Sequence, residues 1–409
     1  MPPESADPYP RLCYLGSLQV EATSASMILL YRLLETYPPD RLRIIHAKED
    51  DYLSERPDRR IKTVRYFQLS PVFRRGWYFT RMHVPRVFWI MLEAQAWWQA
   101  RRAARLMAPF RPDAIVTIHD MFGWLTAAKL AKRLGVPLHL ILHDDWFRNV
   151  PMARSLTGRF EASFGRIYCS AASRLCISPY MEQEYARRFG APGTVLFPTR
   201  ARTAPSYQPP PAHLGRTGGP LKVAYGGNVF HKGYWEALGH LASALESDGG
   251  QLLIFGPSRA QVISNGLDRP NVVAYGFVDN MLERMHEEAQ VLFLPMTFEP
   301  REKLNMQINF PSKLTEYTAA GLPILIYGPD YCSAVRWARE NPDSTEVVTQ
   351  QGVEGLQAAL NSLLDPAYRE KLARRALELG NRYFSFEGGT SIFQEAIRSG
   401  HCRSFGMVP

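Results

Sequence analysis

At 409 residues, 46% hydrophobic and 21% charged, the chain exceeds the size at which one core keeps growing, so two domains of roughly 200 residues each are expected and a disordered chain is excluded. The formal charge of +9 is unevenly placed: residues 1–205 hold 30 Lys or Arg against 18 Asp or Glu, and the remainder holds 18 against 21. The basicity belongs to the N-terminal half, which predicts an anionic partner there: phosphate-bearing lipid, a membrane surface or nucleic acid.

A short apolar run at 12–15, then Gly16, then an apolar stripe at Met27, Leu30, Tyr31 and Leu34 predict a strand, a turn and a helix. The unit repeats as an apolar run at 114–118, a helical pattern over 122–134 ended by Gly135, and a run at 138–142. Strands apolar on both faces, alternating with helices, imply a parallel sheet covered by helices. Runs at 175–177 and 195–197 supply further strands. Between Arg200 and Pro220 periodicity gives way to Pro, Gly, Ala and Ser, which predicts a linker. The pattern restarts at Leu221, with runs at 252–255, 272–275, 291–294, 323–326 and 346–348 alternating with helical segments, as a second doubly wound domain would. The expected division is a first domain over 1–205, a linker over 206–220, a second domain over 221–380 and a helical tail over 381–409, broken near Gly388 and Gly389, that packs back on the first domain. Runs of the second domain end at Gly226, Gly256, Gly276, Pro295 and Gly328, which puts turns at the strand ends where open α/β sheets bind ligands.

Two of those turns carry candidate chemistry. Gly226-Gly227-Asn228-Val229-Phe230-His231-Lys232-Gly233 joins a strand to a helix and holds one lysine among small residues. Freed backbone amides, a helix N-terminus and an ammonium together suit a diphosphate, although a plain strand-to-helix turn carries glycines too. The second is expected as an extended loop from Pro295 through Glu299 to Lys313, with Pro311 near a helix start, Ser312 as its N-cap and Glu316 one turn in. Lys313 offers a cation to phosphate oxygens, and the Glu316 carboxylate can accept two hydroxyl hydrogen bonds from a ribose diol. In the first half, His119-Asp120 forms a polar pair at a strand's carboxyl end and is read as facing an acceptor. Asp144-Asp145 is not read as a metal site, because the flanking pattern does not support one.

Phe310-Pro311-Ser312-Lys313-Leu314-Thr315-Glu316-Tyr317, followed by Ala319, Ala320, Gly321, Leu322 and Pro323, resembles the nucleotide-sugar signature of retaining GT-B enzymes of glycosyltransferase family 4. The resemblance is close over 221–340 and only in outline over the first half. It implies a GT-B fold: two Rossmann-like, doubly wound α/β domains facing each other across a cleft. By that resemblance Glu316 binds the ribose, Lys232 the diphosphate, main chain at Pro311, Ser312, Lys313 and Leu314 the phosphate or donor sugar, and Phe277 and Val278 the base through main-chain groups. Gly227 and Asn228 belong to the phosphate loop, Gly16 and Ser17 to a donor-facing turn, and His143 matches a donor-facing histidine. The chain departs from the family pattern at Ile308, where a glutamate eight positions before Glu316 is usual. Glu299 is then the displaced glutamate, with 300–308 an insertion. An arginine usual before the loop lysine is replaced near Asn228, which leaves Arg301, Lys303 and Lys313 as alternative sources of charge.

The implied reaction moves a sugar from a nucleoside-diphosphate sugar to a glycan or lipid-linked acceptor, with retention, no metal and no cofactor. Rivals are a GT-B nucleotide-sugar epimerase, an inverting transferase using Asp120 or Asp144 as base, and a non-catalytic membrane or nucleic-acid binder. The phosphate loops lie in the acidic half, which argues against nucleic acid. Residues 73–110 combine Arg74, Arg75, Arg81, Arg86, Arg101, Arg102 and Arg105 with Trp77, Trp89, Trp97 and Trp98 against a single acid, Glu93. Arg with Trp suits an anionic membrane surface, although a core-facing helix with a solvated arginine edge accounts for the stripe within it. Five cysteines without metal spacing, no leader pattern and no apolar run of about 18 residues predict a reduced cytoplasmic protein, peripheral at the inner face of the cell membrane.

Overall fold

The computed structural model describes residues 9–23, 25–48, 55–71, 84–145, 154–205, 207–215, 218–229 and 231–404. The chain separates into two compact units, Met1–Phe197 with Gly389–Pro409, and Pro198–Gly388.

The first unit holds β1 (Leu12–Gly16), α1 (Ala25–Leu34), β2 (Leu42–Ala47), β3 (Arg65–Leu69), α2 (Pro85–Met107), β4 (Ala114–Ile118), α3 (Gly123–Leu134), β5 (Leu138–Leu142), α4 (Arg154–Ser170), β6 (Ser173–Cys176), α5 (Pro179–Phe189) and β7 (Thr194–Val195). The strands form one sheet in the order β3-β2-β1-β4-β5-β6-β7, every neighbouring pair parallel. Every residue of β1, β4 and β5 is buried, as strands covered by helices on both faces require. Gly135 ends α3 in the left-handed conformation, φ 69°, its amide donating to the Ala131 carbonyl. Strands β2 and β3 lie outside the sequence-based expectation. Arg43 and His46 interrupt the apolar run of β2, and β3 is an edge strand with one fully buried residue, so neither shows the unbroken apolar pattern of a central strand.

The second unit holds β8 (Lys222–Gly226), α6 (Lys232–Glu246), β9 (Gln251–Phe255), α7 (Arg259–Ser264), β10 (Val272–Gly276), α8 (Met281–Glu288), β11 (Val291–Pro295), α9 (Lys303–Ile308), α10 (Ser312–Tyr317), β12 (Ile324–Tyr327), α11 (Ser333–Glu340), β13 (Glu346–Val348), α12 (Glu354–Ser362) and α13 (Pro366–Tyr383). Its sheet is also parallel, in the order β10-β9-β8-β11-β12-β13. Val223, Tyr225, Leu252, Ile254, Val291 and Phe293 meet Leu238 and Leu241 of α6 in its core, each such side chain contributing about 1.5–3 kcal/mol of burial. A last helix, α14 (Phe386–Ser404), begins at the end of this unit and from Gly389 onward belongs to the first. There Gln394 donates to the Tyr9 hydroxyl, 3.4 Å away.

The structure divides the chain at 197/198 and 388/389 rather than around a linker at 206–220. Residues of the Pro-rich stretch are tied into the second unit: Tyr207 stacks on His286 at 3.8 Å, His213 Nε2 lies 2.9 Å from the Ala289 carbonyl, and Arg369 donates to the Leu214 carbonyl at 2.8 Å. Proline removes periodicity without preventing a segment from lying against a surface. The region 300–308 is helical, a 3-10 turn at Pro300–Glu302 followed by α9, and not an extended insertion. Pro311, not Ser312, stands at the N-cap of α10, and its side chain makes no capping hydrogen bond. Helix α14 runs through Gly388 and Gly389; the interruption falls before it, where Phe384 and Ser385 separate α13 from α14. No helix among the described residues is long and apolar enough to cross a membrane.

Candidate functional site

In the second unit the carboxyl ends of β8, β9 and β10 and the start of α10 converge. Gly227, directly after β8, has φ 115°, a conformation side chains rarely adopt. A Cβ there would stand 2.6 Å from Lys313 Cε and 3.2 Å from its Nζ, so the bare backbone lets the lysine lie across the turn. Gly256, at φ 114°, would bring a Cβ to 2.8 Å from the Gly227 carbonyl. Two tyrosines lock the arrangement. The Gly226 amide donates to the Tyr317 hydroxyl at 2.9 Å, which ties α10 to the end of β8, and the Tyr225 hydroxyl donates to the Asn228 carbonyl at 2.9 Å.

Lys313 is half-buried, its ammonium 5.4 Å from the centroid of the Tyr225 ring. Burial pushes its pKa down to about 8. Among the described residues no hydrogen bond or ion pair holds that ammonium. A cation desolvated and unpaired is costly, and a bound anion would relieve the cost. Lys232, expected at the diphosphate, has a side chain 84% exposed that pairs with Glu236 one turn on, at 3.3 Å. The cation lying against the glycine turn is therefore Lys313 and not Lys232. Arg301 is exposed, and the Lys303 ammonium sits 5.1 Å from the centroid of the Tyr331 ring.

Glu316 is half-buried on α10, one turn beyond Lys313. Behind the helix stands Arg200, 6% exposed. It donates to the Thr315 carbonyl at 3.3 Å, the Thr318 hydroxyl at 3.0 Å and Asn381 Oδ1 at 2.5 Å. Burial lowers its pKa to about 10, partly offset by the charge of Glu316. Arg200 thus anchors α10 to α13 and supplies the cation behind the Glu316 carboxylate. Ile308 is buried on α9, so the usual glutamate position belongs to the core here.

Glu299 is half-buried, its amide donating to Thr297 Oγ1 at 3.1 Å. Its carboxylate faces the first turn of α6, Oε1 standing 3.3 Å from where a Cβ on Gly233 would be. Together with Glu236, His240, Thr297 and Tyr327 it lines a cleft of about 190 Å³. His240 Nδ1 and the Tyr327 hydroxyl are 2.9 Å apart, and that hydroxyl also accepts from the Gly352 amide at 2.8 Å. Phe277, beyond β10, is 77% exposed, and Val278 is half-buried.

The carboxyl edge of the first unit carries the other expected residues. Ser17 Oγ accepts from the Gly123 amide at 2.7 Å, joining the Gly16-Ser17 turn to the start of α3, and the Ser17 carbonyl lies 2.7 Å from His46 Nε2. His143 is buried, with Nδ1 2.9 Å from Asp144 Oδ2 and, among the described residues, no hydrogen-bond partner on Nε2. Burial pulls its pKa down, but Asp144 and Asp120 more than reverse that and the net shift is upward. For Asp144 the corresponding net shift is downward, burial being outweighed by His143. Burial and the Asp144 charge raise Asp120 to about 6. His119 is in the core: 1% exposed, its ring 3.9 Å from that of Phe164, its pKa pushed down to about 3 by burial. That placement corrects the reading of His119 as an acceptor-facing side chain. Asp145, also fully buried, pairs with Arg188 at 2.9 Å. Among the described residues no group of three His, Cys, Asp or Glu side chains could hold a metal ion.

Arg200, Tyr225, Tyr317, Thr297 and His240 complete these edges without having been singled out in the sequence. Tyr317 adjoins Glu316 in the motif and could have been found there; Arg200 stands in a stretch with no periodic signal. Residues 54–198 match the family model described as Glycosyltransferase Family 4. No curated protein matches the sequence. Among solved structures the chain is similar to HepE from Anabaena in complex with UDP and glucose, with TM-score 0.65, 12% identity and coverage of 96% of this chain and 100% of that one. It is likewise similar to sucrose-phosphate synthase from Thermosynechococcus elongatus, TM-score 0.63, 16% identity, 95% and 98% covered, and to α,α-trehalose 6-phosphate synthase from Burkholderia multivorans, TM-score 0.63, 13% identity, 97% and 98% covered. The chain has two Rossmann-like domains of the GT-B kind and resembles glycosyltransferase family 4. The family match falls on the first half, where the motifs are sparse, and complements the motif resemblance of the second.

Proposed function

We propose that this protein transfers a glycosyl group from a nucleoside-diphosphate sugar to a glycan or lipid-linked acceptor. The observation that carries the reading is the unpaired, half-buried ammonium of Lys313 lying across the Gly227 turn at the end of β8. A diphosphate there would gain that charge together with backbone amides of the turn. Glu316, backed by Arg200, takes the ribose hydroxyls, and the cleft under Glu299 takes hydroxyls of the donor sugar. As the glycosyl bond breaks, negative charge grows on the leaving diphosphate, and Lys313 stabilises it more than it stabilises the intact donor. Retention of anomeric configuration is what the family resemblance implies, and no protein nucleophile is assigned. His143, with a proton shared towards Asp144, is the acid–base group of the first unit best suited to a donor hydroxyl or leaving-group oxygen.

HepE was solved with UDP and glucose, which makes uridine diphosphate the first ligand to try. Calorimetric titration should show UDP binding that weakens on the order of 10- to 100-fold in Lys313→Ala, the range for a hydrogen bond to a charged group. Unchanged affinity in Lys313→Ala together with a large loss in Lys232→Ala would return the role to Lys232. Absence of binding by any nucleoside diphosphate would remove the reading.

A further inference from the structure

Helix α2 has a face that the donor chemistry does not use. Its inner side is core: Phe88, Leu92, Ala96, Ala100 and Ala103 are buried. Its outer side exposes Ile90 at 66%, Trp97 at 52% and Trp98 at 40%. At 100° per residue Arg86, Ile90, Trp97, Arg101 and Arg105 fall within one face, with Trp98 and Arg102 at its flank. Arg101 lies over the Trp97 ring at 4.8 Å and Arg102 over the Trp98 ring at 4.7 Å, so each guanidinium and indole form one amphipathic unit. None of these four arginines has an ion-pair partner among the described residues. The one acid at the margin of the face, Glu93, is already paired with Lys129 at 2.6 Å. Past that pair the basic surface continues into a groove of about 800 Å³ lined by Lys129, Lys132 and Arg166 together with Leu125, Val136 and Ile167. Arg74, Arg75, Trp77 and Arg81 lie outside the described residues.

We infer that the outer face of α2 docks on an anionic lipid bilayer. Large side chains left in water on a soluble unit mark an interaction surface. Indole and guanidinium together match the headgroup boundary, where the ring is half-buried and the cation meets phosphate. Among the described residues this face has four cations without an ion-pair partner and one acid, itself neutralised by Lys129, which is the charge complement of an acidic leaflet. The inner side of the same helix reaches the candidate site near its N-terminus, where Phe88 packs edge-on against Phe122 at 5.8 Å, the residue before Gly123, whose amide holds Ser17. Docking through the outer face would bring this sheet edge close to a lipid-borne acceptor.

The test is co-sedimentation of the full chain with vesicles of phosphatidylcholine alone and with about 30% phosphatidylglycerol, at low and high salt. Binding to the acidic vesicles at low salt, falling at least about 10-fold at high salt and absent with phosphatidylcholine alone, is the expected result. The double variant Arg101→Glu/Arg102→Glu should lose at least about 30-fold in vesicle affinity, and Arg101→Lys/Arg102→Lys should keep most of it. UDP affinity, measured alongside, should not change in either variant, so this inference stands or falls apart from the donor reading. No binding of the unaltered protein to acidic vesicles overturns the inference, and so does full binding by a folded glutamate variant. A dimer in light scattering that the glutamate variant dissolves, without vesicle binding, would assign the face to a second copy instead.

Discussion

The two sheet edges handle charge in opposite ways. At the first unit's edge His143 and Asp144 satisfy each other, one pKa raised and the other lowered, and burial with the Asp144 charge raises Asp120 to about 6. At the second unit's edge the Lys313 ammonium is desolvated without a counter-charge among the described residues. One edge is balanced internally and poised to exchange a proton; the other is balanced only when an anion arrives. Site chemistry can be read from which charges a fold leaves unmatched, because leaving one unmatched away from water costs stability that a structural role would not justify.

Removing the support of the second edge should have the largest effect. Arg200→Ala deletes three hydrogen bonds behind α10 and leaves Thr318 and Asn381 without their donor, so the second unit should lose about 3 kcal/mol in denaturant unfolding. A loss below about 1 kcal/mol would show that α10 is held by Tyr317 and its own packing instead. Lys313→Ala follows, with UDP affinity falling by about 2 kcal/mol while the ligand-free protein melts at the same or a higher temperature, because a desolvated cation has been removed. A lower melting temperature would mean that the ammonium has a structural partner.

Acidity gives a third comparison. Lys313 titrates near 8 in the ligand-free protein, and a bound diphosphate favours its charged form. UDP affinity should therefore fall by up to about tenfold per pH unit above 8, and Lys313→Met should lose that dependence; a flat profile in the unaltered protein would break the contrast between the edges. The smallest effect belongs to His143. Its folded-state pKa is raised, so its pairing with Asp144 contributes stability that is fully present below the ordinary histidine pKa and is lost as pH rises through the raised value. His143→Gln should remove that component from a plot of melting temperature against pH between about 6 and 8, and an unchanged plot would show the pair to be uncoupled.

The helix-and-strand alternation was legible because a parallel strand covered on both faces reads as a largely apolar run: β1 and β11 are apolar throughout, and β4, β5 and β8 carry one polar residue each. Edge strand β3, with one fully buried residue, has no such signature. In the candidate site Glu316, Lys313 and Gly227 stood out because a glycine turn, a lysine and a glutamate recur at turn and first-turn spacing. Lys232 stood out for the same reason, and only the third dimension separates it from Lys313. One ammonium reaches solvent and Glu236, whereas the other lies across the Gly227 backbone.

By itself the sequence determined the two α/β units, the turns at their strand ends and the motif that marks α10, because these follow from local periodicity and from backbone conformations that few residues adopt. The tertiary structure alone decided which cation stands at the glycine turn, that His119 is core, that Arg200 braces the site helix from within the Pro-rich stretch, and that the arginines and tryptophans of α2 share an exposed face. Each of these depends on burial and on partners more than a hundred residues away or on another element, and no local pattern records such a distance.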